Sequence, residues 1–223
     1  IRLLLSIGIS FFEVCLSSVF NINYGICYFI YFKKQKKFFS KIFILIMIPK
    51  VIHQTARTSD ISWEERLLVK KMKALCGGWT YMFHDDVDNE RLIKRYFPQY
   101  LDLFNSIPKG VAKADIARLV YMYAYGGFYF DTDYRLFKEI PNWMLQKEQL
   151  LMESRNSETE YKLGNAILAS SPGGSFYKGF IEHIFSKPEL LSLQENRVEL
   201  VTGPEALTEY YQENKKIRVR FTT

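Results

Sequence analysis

Between Gly110 and Asp133 the pattern of apolar residues changes period within two positions, and that change limits what the chain can become. Ala112, Ile116, Leu119, Val120 and Tyr123 recur at helical spacing, which predicts a helix from Gly110 to Tyr125 with those residues as its buried stripe. Gly126-Gly127 ends it, as glycine at a helix C-terminus does. Phe128-Tyr129-Phe130 then reads as a strand apolar on both faces, the mark of a covered, parallel-type sheet. The strand runs out on Asp131-Thr132-Asp133.

The same alternation holds on either side. Lys50-Val51-Ile52-His53 predicts a first strand, and Trp63, Leu67, Leu68, Met72 and Leu75 predict a helix that Gly77-Gly78 closes. Trp79 to Phe83 predicts a second strand, with His84-Asp85-Asp86 capping the helix that follows and stops before Pro98. Gln149–Glu153 and Ala166–Ala169 read as further short strands, and Phe176–Phe185 as a helix opened by Pro172-Gly173-Gly174-Ser175. Strands alternating with helices give an α/β fold with a mostly parallel, Rossmann-like sheet. With 223 residues, 48% of them hydrophobic, the chain can bury one sizeable core. There is no internal repeat.

Residues 1–46 stand apart as an apolar, basic leader. They hold six basic residues and one acid, so that residues 47–223 carry only about +1 of the chain's +6. The basic character therefore does not belong to the predicted domain, and a nucleic-acid partner, which needs basic residues clustered there, is not expected. The leader has three readings. It is upstream sequence translated past a natural start at Met47, a membrane anchor whose apolar run is broken by Glu13, Asn21 and Asn23, or a cleaved signal. In the anchor reading, Lys33-Lys34-Gln35-Lys36-Lys37 keeps the following domain cytoplasmic, at the inner face of the membrane. Cys15, Cys27 and Cys76 show no metal-ligand spacing, and an odd count favours a reducing compartment.

Two carboxylates at the end of a strand sit where α/β proteins bind ligands. Mg²⁺ and Mn²⁺ take oxygen from one or two carboxylates together with substrate phosphates, so Asp131 and Asp133 are candidate metal ligands. Asp115 and Arg118 lie i and i+3 on the helix that folds back onto this strand, and so project together. An acid there can accept from ribose hydroxyls and an arginine can fork onto phosphate. The plain alternative is a surface ion pair of little energy. His53, after the first strand, is either a structural hydrogen-bonding group or a ligand contact. An Asp-X-Asp after an apolar strand also occurs in haloacid-dehalogenase-type phosphatases, with the first Asp as nucleophile. Arg135 stands where those enzymes carry Thr or Val, and the later acid pair they need is absent.

Three stretches together resemble one family: Ile48-Pro49-Lys50-Val51-Ile52-His53-Gln54-Thr55, Lys113 to Leu119, and Tyr125 to Asp133. They are similar to the glycosyltransferases with a DXD sugar-binding motif, which include initiating α-1,6-mannosyltransferases and capsular polysaccharide transferases. The resemblance covers roughly residues 47–210. It implies a GT-A-type single domain over residues 47–223, a GDP- or UDP-linked nucleotide-sugar donor, Mn²⁺ or Mg²⁺, and transfer of a hexose with retention to a glycan or lipid-linked acceptor in polysaccharide or glycoconjugate synthesis. It further implies that Asp133 binds the metal directly, that Asp131 serves donor and metal, and that Asp115 and Arg118 contact the donor sugar. Ile52 and His53, after Val51, would line the nucleotide, and Asn165 would stand on the acceptor side. Thr202-Gly203-Pro204 resembles the family's late turn. Members continue beyond it and add a further ligand, whereas no Asp follows Asp133 here. A C-terminal part is thus expected to be missing, and a non-catalytic protein that keeps the fold is the competing expectation.

Overall fold

Helices pack against both faces of the sheet because the apolar residues of its strands point alternately to two separate cores. The structure, a computed structural model, describes residues 47–155, 161–192, 197–214 and 220–222. The leader, residues 1–46, lies outside the described residues, and the domain belongs to a unit spanning Leu45–Thr223. The described elements run β1 (Val51–Thr55), α1 (Trp63–Leu75), β2 (Thr80–His84), α2 (Asp86–Tyr96), a 3-10 turn (Pro98–Tyr100), α3 (Leu101–Ser106), α4 (Gly110–Ala124), β3 (Gly127–Phe130), α5 (Asn142–Leu145), β4 (Gln149–Arg155), β5 (Tyr161–Ser170), α6 (Ser175–Phe185), α7 (Pro188–Ser192), α8 (Val198–Val201), α9 (Pro204–Glu213) and β6 (Arg220–Thr222).

The strand order is β2-β1-β3-β5-β4-β6. β2, β1 and β3 are parallel, as are β4 and β6, while β5 runs antiparallel to both of its neighbours. The sheet is mixed and mostly parallel, and its parallel half has the alternating strand-helix chain behind it. Phe128 and Phe130 point to a core shared with Ile52, Met72 of α1, Ile140, Leu145 and Ile167. Tyr129 points to the opposite core, with Ile116, Leu119, Val120 and Tyr121 of α4 and Phe180 and Ile184 of α6. That two-sided burial is why the strand reads as continuously apolar.

The helix boundaries follow local chemistry. Ser62 and Glu65 cap α1 reciprocally, Ser62 Oγ accepting from the Glu65 N–H and Glu65 Oε2 from the Ser62 N–H. Asp85 caps α2, as its position before an amphipathic run requires. α4 departs from its expected single stripe. Tyr123 is half-buried, whereas Tyr121, Met122, Asp115 and Arg118 are buried, because α4 packs against α2 and α6 as well as the sheet.

At the end of α4, Gly126 and Gly127 both take positive φ, 64° and 94°. A Cβ on Gly127 would stand 2.5 Å from the Val51 carbonyl oxygen, so the close passage of β3 beside β1 requires glycine. The second predicted strand pair also differs. β5 is ten residues long and pairs with β4 as an antiparallel ladder, and its early polar residues, Lys162 and Asn165, hide it from an apolar-run reading. The ladder jumps from Leu151–Leu168 to Met152–Gly164, leaving 165–167 out of register with β4. Bulges of this kind re-aim backbone groups.

Candidate functional site

β3 ends at Phe130, and the bulged segment of β5 receives the chain beyond it: the Asp131 N–H donates to the Ala166 carbonyl at 3.0 Å. Gln54, from the end of β1, donates its side-chain amide to the Asp131 carbonyl at 2.9 Å and is itself oriented by the Tyr81 hydroxyl. The Tyr134 N–H closes a turn on the same carbonyl at 3.1 Å. The Asp131-Thr132-Asp133 turn is therefore built at the carboxyl end of the parallel strands, where the sequence placed it.

The two aspartates are not equivalent. Asp131 Oδ1 accepts from the Tyr129 hydroxyl at 2.6 Å and lies 3.2 Å from Arg118 Nη1. Its side chain is one-third exposed, and Oδ2 has no protein partner among the described residues. Burial pushes the Asp131 carboxyl above its ordinary range; Arg118 and the Tyr129 hydroxyl pull the other way, and the charge of Asp133 adds to the rise. Asp133 is exposed and has no hydrogen bond or ion pair among the described residues. One oriented oxygen and one unpartnered carboxylate are hard donors that fit Mg²⁺ or Mn²⁺, which bind through few carboxylates and complete their shell with water and phosphate. Among the described residues there is no cluster of three or more His, Cys, Asp or Glu that would hold a metal by itself, so the phosphates of a ligand would have to share it.

Behind this pair sits a buried polar cluster. Asp115 is 4% exposed and Arg118 is 7%, and they meet at 3.2 Å. Their pairing is thus a desolvated one and not the surface ion pair of the plain reading. Asn165 donates to Asp115 Oδ1 at 2.9 Å, Thr202 donates to Asp115 Oδ2 at 2.9 Å, and Arg118 Nη1 donates to the Asn165 carbonyl at 2.9 Å. The Arg118 guanidinium also lies over the Tyr129 ring, 4.7 Å from its centroid. Burial raises the Asp115 carboxyl, with Arg118 and the two donors opposing it. Burial works against the Arg118 charge, yet Tyr129, Asp115 and Asp131 together hold it above its ordinary value.

The structure thus brings together Asp115, Arg118, Asp131 and Asn165, with Asp133 on the adjoining turn. Asn165, expected on the acceptor side, uses its side-chain amide on Asp115 and its backbone carbonyl on Arg118, at the β5 bulge. Ile52 and His53 are not brought to the carboxylates by their side chains, which are 1% and 0% exposed. Ile52 belongs to the core beside Phe128. His53 Nε2 donates to the Gly126 carbonyl at 2.9 Å, so its Nδ1 must accept from His84 Nε2 at 3.0 Å. The His53 ring is a structural hydrogen-bonding group that joins β1 to the end of α4. Burial lowers its pKa to about 3, and that of His84 to about 4.

Sequence reasoning missed Thr202, Tyr129 and Glu65 as members of this region. Thr202 lay within the Thr-Gly-Pro turn already singled out, and Tyr129 adjoined the aspartates. Glu65 carried a local signal, the Ser-X-X-Glu capping box.

A family model described as a glycosyltransferase sugar-binding region containing the DXD motif matches residues 12–151. The chain is 36% identical over 87 residues to a mannosyl phosphorylinositol ceramide synthase of Saccharomyces cerevisiae, covering 39% of this chain and 23% of that protein. It is 22% identical over 176 residues to inositol phosphoceramide mannosyltransferase 2 of Schizosaccharomyces pombe, covering 76% and 48%. The initiation-specific alpha-1,6-mannosyltransferase of Saccharomyces cerevisiae matches at 31% over 94 residues, 41% of this chain and 20% of that protein. The chain spans less than half the length of these curated relatives. Among solved structures, the PaToxG glycosyltransferase superposes with a TM-score of 0.57 at 18% identity, over 84% of this chain and 80% of that one. That likeness shows the fold, which is of the expected GT-A type.

Proposed function

The chain belongs to the glycosyltransferases whose sugar-binding region contains the DXD motif, and on that premise we propose that it transfers a hexose from a nucleotide-sugar donor with the help of a divalent cation held at Asp131 and Asp133. The observation that carries this reading is the asymmetry of the pair: Asp131 is locked through one oxygen by Tyr129 and Arg118, while Asp133 is left without a partner among the described residues. A bound Mn²⁺ or Mg²⁺ supplies Lewis-acid neutralisation of the departing diphosphate.

The chain's own groups supply orientation. Arg118 holds Asp131 by a charge-assisted contact and is itself held by Asp115 and the Asn165 carbonyl. Asp115 and Asp131 already balance its charge, so the attraction for an anionic donor would come from the cation and not from Arg118. The names of the relatives favour mannose as the transferred sugar, and a GDP- or UDP-linked donor with a glycan or lipid-linked acceptor completes the reading. We take the transfer to be retaining. The basic flank of residues 1–46 supports a site on the cytoplasmic side, at the inner face of a membrane. No helix among the described residues is long and apolar enough to cross one.

Release of hexose from GDP- and UDP-sugars, with Mn²⁺ present and then chelated, tests the proposal. Activity should require the cation and fall roughly 100-fold or more in Asp133→Asn, in line with the several kcal/mol such a cation supplies. Cation-independent release that survives Asp133→Asn would overturn it.

A further inference from the structure

The Asp131-Thr132-Asp133 turn is tethered from a second direction. Thr132 donates its hydroxyl to Glu65 Oε1 at 2.5 Å, across 67 positions of sequence. Glu65 is the third residue of α1, and its other oxygen accepts the Ser62 N–H at 2.8 Å. One carboxylate thus serves both the capping box of α1 and the turn that carries the aspartates. The remaining restraints on the turn converge on Asp131: Ala166 and Gln54 hold its backbone, and Tyr129 and Arg118 its side chain. The Tyr134 N–H, which closes the turn on the Asp131 carbonyl, holds the backbone around Asp133, but none of these bonds is made to the Asp133 side chain.

Asp133 needs a restraint for an electrostatic reason. Its charge raises the Asp131 carboxyl, so the two groups repel one another when no cation stands between them. An exposed turn relaxes that repulsion by letting the free carboxylate swing away. Thr132 is the residue joined to Asp133, and a hydroxyl-to-carboxylate bond is of the stronger, charge-assisted kind. That bond is the main reason the Glu65 carboxyl lies below its ordinary range, ahead of the capping contacts with Ser62.

We propose that Glu65 and Thr132 are positioning residues for the cation site, their bond setting the direction of Asp133 relative to Asp131. The inference rests on the reading of Asp131 and Asp133 as the cation-holding pair. α1 therefore does more than cover the sheet: its first turn fixes the geometry of a site contributed by another element.

The test is Mn²⁺ binding to the purified chain, followed by electron paramagnetic resonance with GDP or UDP present, alongside thermal unfolding without cation. Thr132→Val keeps the shape and the capping box but removes the donor. It should weaken Mn²⁺ binding about five- to tenfold, the scale of one hydrogen bond to a charged group at a partly exposed site, and lower the melting temperature by only about 2–4 °C with the fold intact. Thr132→Ser should restore wild-type binding. Glu65→Ala should weaken Mn²⁺ as much as Thr132→Val, and the double variant no further than either. Wild-type Mn²⁺ affinity in Thr132→Val, with affinity lost in Asp133→Asn, would overturn the positioning role and leave the cation site standing. Wild-type affinity in Asp133→Asn would remove the cation site itself, and this inference with it.

Discussion

Arg118 Nη1 lies 3.2 Å from Asp131 Oδ1, on the same carboxylate oxygen that the Tyr129 hydroxyl reaches at 2.6 Å. The pairing links a buried charge on α4 to the exposed end of β3, and it depends on Asp115 holding the guanidinium from behind at 3.2 Å.

Breaking that support from one side should be costly. Arg118→Met leaves Asp115 buried without its counter-charge, and should lower stability by about 3 kcal/mol, the scale for losing one member of a buried pair. Arg118→Met with Asp115→Leu should recover part of the loss, since an apolar pair carries no desolvated charge, although Asn165 and Thr202 then lose their partners. Urea midpoints at constant slope measure both. A double variant less stable than Arg118→Met would contradict the account of the pair.

Tyr129→Phe removes the hydroxyl that favours the ionised form of Asp131. The Asp131 carboxyl, already above its usual range through burial, should then rise further. A cation needs the ionised form, so Mn²⁺ binding should weaken on acidification at a higher pH in Tyr129→Phe than in the wild type. Titrations of Mn²⁺ affinity against pH would show the displaced acid limb. A limb displaced to lower pH would mean that the hydroxyl donates elsewhere.

The histidine pair predicts a loss of stability in mild acid. His53 and His84 have folded-state values of about 3 and about 4, below the ordinary 6.5 of an unfolded chain. The unfolded state therefore binds protons first. Their contribution is fully present above pH 6.5 and is lost progressively as the pH falls toward those folded values. The melting temperature should begin to drop below pH 6.5, before ordinary carboxylates titrate. Imidazole resonances of His53 and His84 should stay in their neutral form until the protein unfolds.

Gly127→Ala tests the passage of β3 beside β1. With φ at 94° and a Cβ 2.5 Å from the Val51 carbonyl oxygen, alanine is strained and obstructed at once. A loss of about 3 kcal/mol is expected, combining backbone strain with displacement of a neighbouring strand. A thermal shift near zero would show that the helix-to-strand turn tolerates another path.

Much of this was legible in the chain before its structure. The helix over Trp63–Leu75, the break at Gly126-Gly127 and the doubly buried strand before Asp131 each have local causes: apolar spacing, glycine conformation, and an unbroken aromatic run from Phe128 to Phe130. Placing two carboxylates at a strand end also needed only the order of residues. Local spacing could pair Asp115 with Arg118 but could not say that both are buried, because burial depends on what α2, α6 and β5 bring against α4. Likewise no local rule joins Thr202 to Asp115 across 87 positions, or Thr132 to Glu65 across 67. His53 shows the limit from the other side: its place after a strand left a structural role and a ligand contact both open, and packing against His84 and Gly126 makes its ring part of the core. The sequence alone determined the strands and helices that lead to the site, from Val51 to Phe130, and which residues carry charge at their ends. The tertiary structure decided which of those charges are desolvated, which are paired, and that Asp133 has no partner among the described residues, because partner choice is made by long-range packing that periodicity does not encode.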